Sequence, residues 1–172
     1  MQDREAVQLL LNGEKHGHGH MVEKLLKRTE RMECLVAFAK TSALGGFLKP
    51  LRKALEGGLK ARFAIGLDFY LTEPEALRQL FALTEKHALV LYLSNASDTF
   101  HPKVYAFQHG KQCSVIVGSA NLTHGGFYGN YEASALIDDA SGALMASVTQ
   151  HFDALVADGI LVPATKPRID AY

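Results

Sequence analysis

An α/β fold, with a mixed, largely parallel sheet sandwiched between helices, is predicted from two observations. Between Cys34 and Leu93, short apolar runs of strand length alternate with segments of helical periodicity, the order that builds parallel strands joined by crossover helices. Beyond Leu93 the rhythm changes: Lys103–Phe107 and Cys113–Val117 flank His109-Gly110-Lys111, a hairpin turn that adds antiparallel strands. The 172 residues suit one domain, and 48% hydrophobic with 21% charged residues is a globular composition. A chain of this length buries roughly two-thirds of its unfolded surface, enough for a core without staples.

The elements follow in order. Arg4–Leu11 and Met21–Arg31 place apolar residues at helical spacing, through Val7, Leu10 and Leu11 and then Val22, Leu25 and Leu26. Between them lie Asn12-Gly13 and a tract with His16, His18 and His20 separated by glycines. Cys34–Ala39 has the length of a buried strand. Leu44–Leu55 reads as a helix closed at Gly57-Gly58. Ala61–Leu67 is a second strand, and Glu73-Pro74-Glu75 opens a helix that runs to about Lys86. Ala88–Leu93 is a third strand, Glu132–Ile137 another, and Leu144–Val156 a last helix. The Pro-containing ending reads as a tail or linker, which puts the domain at 1–160 and the tail at 161–172.

The 18 basic side chains cancel the 18 acidic ones, so no overall field holds this chain to nucleic acid, and any polyanion site must be local. Two cysteines, Cys34 and Cys113, each within an apolar stretch, read as buried reduced thiols and exclude a four-cysteine zinc site. The longest apolar runs are too short to span a bilayer, and the first residues lack the basic-then-apolar order of a signal peptide. A soluble cytoplasmic protein without stable membrane association is the expectation.

Chemistry concentrates between His101 and Glu132. His101-Pro102-Lys103 starts a strand, where residues two apart share a face, so an imidazole and an ammonium stand side by side. Phosphoryl transfer needs that pairing, because charge on the phosphate oxygens must be neutralised. The next strand ends in Gly118-Ser119-Ala120-Asn121. There Gly118 allows close backbone approach, and Ser119 and Asn121 offer short hydrogen-bonding groups. Each piece alone reads as an ordinary turn or cap; order and spacing make them informative together.

Together they resemble the phospholipase D superfamily, whose signature is His-x-Lys followed by Gly-Ser-x-Asn. His101 and Lys103 match the first part. Gly118, Ser119 and Asn121 match the second, with Asn121 eighteen positions beyond Lys103. Glu132 matches an acidic residue that follows in many members. The tract Gly118–Thr123 is similar to the nuclease branch, including the catalytic domain of a metal-independent type IIS restriction endonuclease and helicase-associated nuclease domains. Gln108 stands where the fuller signature has an Asp five residues after the Lys. With only one copy of the signature, this argues against the lipid-hydrolysing members.

The resemblance implies a metal-independent phosphodiesterase without cofactors, a nuclease acting on DNA. Two histidines face one phosphodiester in this family, so one signature per chain implies a homodimer with the site at its two-fold axis. His101 of one subunit would form a phosphohistidine and the other His101 would act as acid and base. Lys103 and Asn121 would bind phosphate oxygens with help from Ser119, and Glu132 would hold the remote nitrogen of His101. Tyr128 and Tyr131, between Asn121 and Glu132, are candidates to stack on bases, whereas Phe100 and Phe127 read as core. His109 and His124 are candidates to line the cleft, and His87 and His151 read as surface groups. His16, His18 and His20 read as a flexible loop with incidental metal affinity, or as the rim of the cleft. The chain could be a free dimeric nuclease or be fused to a helicase or DNA-recognition domain. The alternatives are a phospholipid hydrolase or phosphatidyltransferase of the same superfamily, and a non-catalytic nucleic-acid-binding or dimerisation module.

Overall fold

A computed structural model describes residues 6–13 and 17–172. Eight strands form one sheet in the order β1-β7-β6-β5-β2-β3-β4-β8. The strands are β1 (Ala6–Leu11), β2 (Arg31–Val36), β3 (Lys60–Ile65), β4 (Leu89–Ser94), β5 (Lys103–His109), β6 (Gln112–Gly118), β7 (Ala133–Asp139) and β8 (Leu161–Pro163). The helices are α1 (His18–Leu26), α2 (Thr41–Glu56), α3 (Pro74–Thr84), α4 (Ala143–Ala157) and α5 (Lys166–Ala171). The α/β class and the mixed sheet are as expected; the balance inside the sheet is not. Only β2-β3 and β3-β4 run parallel, and the other neighbours are antiparallel. Helical connections set parallel neighbours side by side only from β2 to β4; α1 and α4 also join strands, β1 to β2 and β7 to β8, but those strands are not neighbours in the sheet.

Helices cover both faces. On one, α1, α2, α3 and α5 bury Val22, Leu26, Leu44, Phe47, Leu77 and Ile169 against Cys34, Phe63, Leu91, Tyr105 and Ile116. On the other, α4 brings Met145 and Phe152 against Leu35, Ala64, Ala106, Cys113 and Val115. Cys34 and Cys113 are both buried and free. The nine residues of α1 are too few to hold a helix in water alone. Its buried Val22, Leu25 and Leu26 supply the difference, at about 1.5–3 kcal/mol each.

Three expectations are corrected. Residues 6–11 form β1, not a helix: Leu10 is buried on one side while Val7, Leu9 and Leu11 are 64%, 73% and 51% exposed on the other. A six-residue helix gains little by itself in water, whereas the open edge of β7 offers these residues a full backbone ladder. The helix expected over Met21–Arg31 ends at Leu26, and Arg31 already belongs to β2. The segment from 161 onward is not a trailing tail. Leu161 is buried, β8 pairs with β4, and Ile169 reaches the core, so the expected boundary at 160 falls inside the packed fold. Among the described residues no helix is long and apolar enough to cross a membrane.

The start of α4 rests on one carboxylate. Asp139 accepts from the backbone N–H of Ser141 and of Leu144, both at 2.8 Å, and from the Ser141 hydroxyl at 2.6 Å. These bonds, led by that from Leu144, hold its pKa down at about 2. Asp139→Ala is expected to cost about 1–2 kcal/mol, as a lost cap does. The ionised carboxylate stabilises fully above the ordinary value of about 3.9 and stops doing so as pH falls towards 2. Urea midpoints of the two proteins should therefore differ at pH 7 and converge near pH 2.

Candidate active site

Pairing places the sequence signature at one end of the sheet. Val36 lies opposite Lys103, Val104 opposite Val117, and Gly118 opposite Ser134. The segments after β2, β3 and β6 and those before β5 and β7 therefore emerge together. Gly118 is required there by close approach: a Cβ would lie 2.3 Å from Ser134 Oγ and 2.5 Å from the Ala133 carbonyl.

His101 is exposed at this end, its ring edge-on to Phe38 with centroids 5.6 Å apart. Lys103 Nζ approaches the imidazole, 2.6 Å from Nδ1 and 3.0 Å from Nε2, and also donates to the His101 carbonyl at 3.2 Å. Partial burial lowers the Lys103 pKa, opposed by the Glu132 carboxylate. Asn121 Oδ1 accepts from the Phe38 backbone N–H at 3.1 Å, which orients its amide N–H groups away from the β2 loop. Ser119 donates a short hydrogen bond to Glu132 Oε2 and accepts from the Ala133 N–H at 3.0 Å. The other Glu132 oxygen accepts from Asn130 Nδ2 at 3.1 Å. Thus Glu132 holds Ser119 and Asn130, and no hydrogen bond joins it to His101 within the single chain.

Several candidates sit elsewhere than expected. Tyr128 is half-buried, and its hydroxyl donates to Glu23 Oε1 on α1 at 3.1 Å. Burial first, then Glu23, pushes its pKa up to about 12. Gly19 leaves the room for its ring, since a Cβ there would lie 2.3 Å from it. Tyr128 is therefore a packing residue whose hydroxyl is tied back to α1, whereas Tyr131 is fully exposed. Phe100 and Phe127 are buried as expected. His109 ends β5 at the opposite end from Lys103, so it does not line the site. Gln108 is also there, donating to Gly110 at 3.3 Å in the hairpin turn. Five strand residues, roughly 16 Å, separate it from Lys103, so this departure from the signature touches the hairpin and not the chemistry.

The residue that sequence reasoning missed is His18. Of its tract, His16 lies outside the described residues and His20 is exposed beside Tyr128. His18 opens α1 fully buried. Asn12 donates to the Gly126 and Asn130 carbonyls at 2.9 and 3.2 Å, so its Oδ1 accepts from the His18 backbone N–H at 3.1 Å and from Nδ1 at 2.8 Å. Nε2 then accepts from the Ser134 hydroxyl at 2.7 Å. The ring thereby ties the start of α1 to both sides of the segment that carries Ser119 and Glu132. A His-Gly repeat reads as flexible, and only the burial of one ring shows otherwise. Burial lowers its pKa, with Glu132 opposing, so the neutral ring stabilises above the ordinary value of about 6.5 and costs stability as pH falls below it. His18→Leu is expected to lose roughly 2–5 kcal/mol from two unsatisfied partners. Its stability should also fall less than the wild type's between pH 7 and 5, which thermal melts would show.

A family model described as Cardiolipin synthase, PLD-like domain matches residues 3–156. The chain belongs to the phospholipase D-like family. Among solved structures it is similar to a phospholipase D family member, Nuc from Salmonella typhimurium, with TM-score 0.72 and 15% identity over 95% of this chain and 100% of that one. NucT from Helicobacter pylori gives TM-score 0.66 and 14% identity over 94% and 100%. Phosphatidylserine synthase of Haemophilus influenzae Rd KW20 gives 0.74 and 15% over 95% of this chain but only 41% of that one. No curated protein sequence matches. These structures share the phospholipase D-like fold, and the superfamily is one of phosphodiesterases.

Proposed function

We propose that this phospholipase D-like chain is a nuclease that cleaves DNA without a metal, through a phosphohistidine at a site shared by two subunits. The observation that carries the reading is the Lys103 ammonium set 2.6 Å from the imidazole of an exposed His101. A nucleophile with a fixed positive charge beside it suits attack on a phosphodiester, because the lysine supplies stabilisation to the developing oxyanion. His101 attacks phosphorus in line, and the leaving oxygen takes a proton from the second His101. Water, deprotonated by that same ring, then attacks phosphorus, the P–N bond breaks and His101 is released. Lys103 and the Asn121 amide bind the non-bridging oxygens, and Ser119, held by Glu132, completes the cradle beside Gly118.

One chain offers one such histidine, which supports a second copy as its partner. Apolar side chains on β1 and β6 reach this end of the sheet: Val7, Leu9, Leu11 and Val117 are all more than 40% exposed, a surface suited to a subunit contact. The test is hydrolysis of plasmid, single-stranded DNA, RNA and phosphatidylcholine vesicles with a chelator present. DNA cleavage that survives chelation is expected. Cleavage abolished by the chelator, or hydrolysis of the vesicles alone, would overturn the reading.

A further inference from the structure

The connection after β3 leaves the sheet at the same end as His101 and holds aromatic rings out into water. Phe69, Tyr70 and Leu71 are 69%, 82% and 42% exposed. Phe69 and Tyr70 both adopt left-handed backbone, with φ of 59° and 54°, a conformation that residues bearing a Cβ avoid. Hydrogen bonds on either side hold it. Asp68 Oδ2 accepts from the Phe100 N–H at 3.1 Å, Thr72 donates to the Gly66 carbonyl at 2.7 Å, and Glu73 donates from its backbone to Ala39 at 2.9 Å. Tyr70 lies nearly parallel on Tyr172, with centroids 5.6 Å apart at 14°. A backbone fastened at both ends in a strained form, with its rings outside the core, has the character of a contact element.

The tether also fixes where these rings can act. Asp68 bonds the residue that immediately precedes His101. Summing bond lengths and one residue step on each side puts the Phe69 and His101 Cα atoms at most roughly 16 Å apart. That is within about five stacked nucleotides at ~3.4 Å each.

We infer that Phe69 and Tyr70 form a stacking platform for unpaired bases of single-stranded nucleic acid, next to the phosphate held at His101. This assignment rests on the nuclease reading above and adds the strandedness of its substrate. Flat rings accept any base face, but only bases that are not already stacked within a duplex can reach them. The near-parallel Tyr70–Tyr172 pair already has the geometry that a further base would extend. Insertion into lipid would require the exposed Tyr70 hydroxyl to leave water, which disfavours it.

Binding and chemistry are separable in the test. Affinity for a short fluorescein-labelled oligothymidylate is read by anisotropy in a His101→Ala background, with Phe69→Ala, Tyr70→Ala and Tyr70→Phe added singly. Each alanine is expected to weaken binding about 5- to 100-fold, Tyr70→Phe to retain it, and a duplex of equal length to show no change. In the otherwise native protein the same variants should hydrolyse bis(p-nitrophenyl) phosphate at the native rate. Unchanged oligonucleotide affinity, or equal loss for duplex, would overturn the platform. So would a loss confined to phosphatidylglycerol vesicle binding or to dimer formation. Failure of the native protein to cleave any phosphodiester would instead sink the nuclease reading, independently of these affinities.

Discussion

His101→Ala is expected to lower kcat for phosphodiester cleavage on the order of 10⁴-fold or more, because in the proposed mechanism it removes both the nucleophile and, in the second subunit, the acid and base. The fold should be untouched, since His101 is exposed at the end of the sheet, its ring lying against Lys103 and Phe38. Urea midpoints equal to the native protein's would separate loss of chemistry from loss of structure. Subunit mixing carries more information than the single variant. If both histidines are obligatory, random assortment of equal native and variant chains leaves about a quarter of the dimers active. Activity near one half after mixing would mean that each subunit works alone. Full activity in His101→Ala would remove the mechanism altogether.

Glu33→Gln is expected to give the largest loss of stability, about 3–5 kcal/mol. Glu33 is fully buried, yet it receives Arg62 through Nε at 2.8 Å and Nη2 at 2.9 Å, and Arg31 at 2.7 Å. Arg62 continues to Asp153 at 2.6 Å on α4 and lies over the Phe152 ring, 4.2 Å from its centroid. The network thus ties β2 and β3 to the helix that closes the second face. Neutralising its centre leaves a guanidinium in a place that is only 21% exposed, with one poorly compensated charge. Against a typical total of about 5–15 kcal/mol, that fraction is large. Urea denaturation should show a lower midpoint with an unchanged slope. Replacing Glu33 and Arg62 together, as Glu33→Leu with Arg62→Met, should recover much of the loss, because the charges then left alone, Arg31 and Asp153, are both exposed. A native-like midpoint for Glu33→Gln would show that the pair contributes nothing net.

The family signature of this phospholipase D-like chain was the most legible part of its sequence, and the packing around it the least. His101, Lys103, Gly118, Ser119 and Asn121 stand close together in the chain or at the ends of adjacent strands joined by one hairpin, so local pairing alone brings them together. Alternation of strands and helices likewise marked β2 to β4. Tyr128 and His18 could not be read in the same way. Each depends on a neighbour far away in the chain: Tyr128 on Glu23 and Gly19, His18 on Ser134.

By itself, then, the sequence determined the family and the spacing of its signature residues, because those are properties of residue identity and short-range geometry. Only the tertiary structure decided that residues 6–11 form an edge strand, that the last residues complete the sheet, and that Glu132 holds Ser119 and Asn130 within one chain. The reason is physical. A short apolar segment is a strand or a helix according to the edge or groove that receives it, and a carboxylate's role is set by the donors that the fold brings to it.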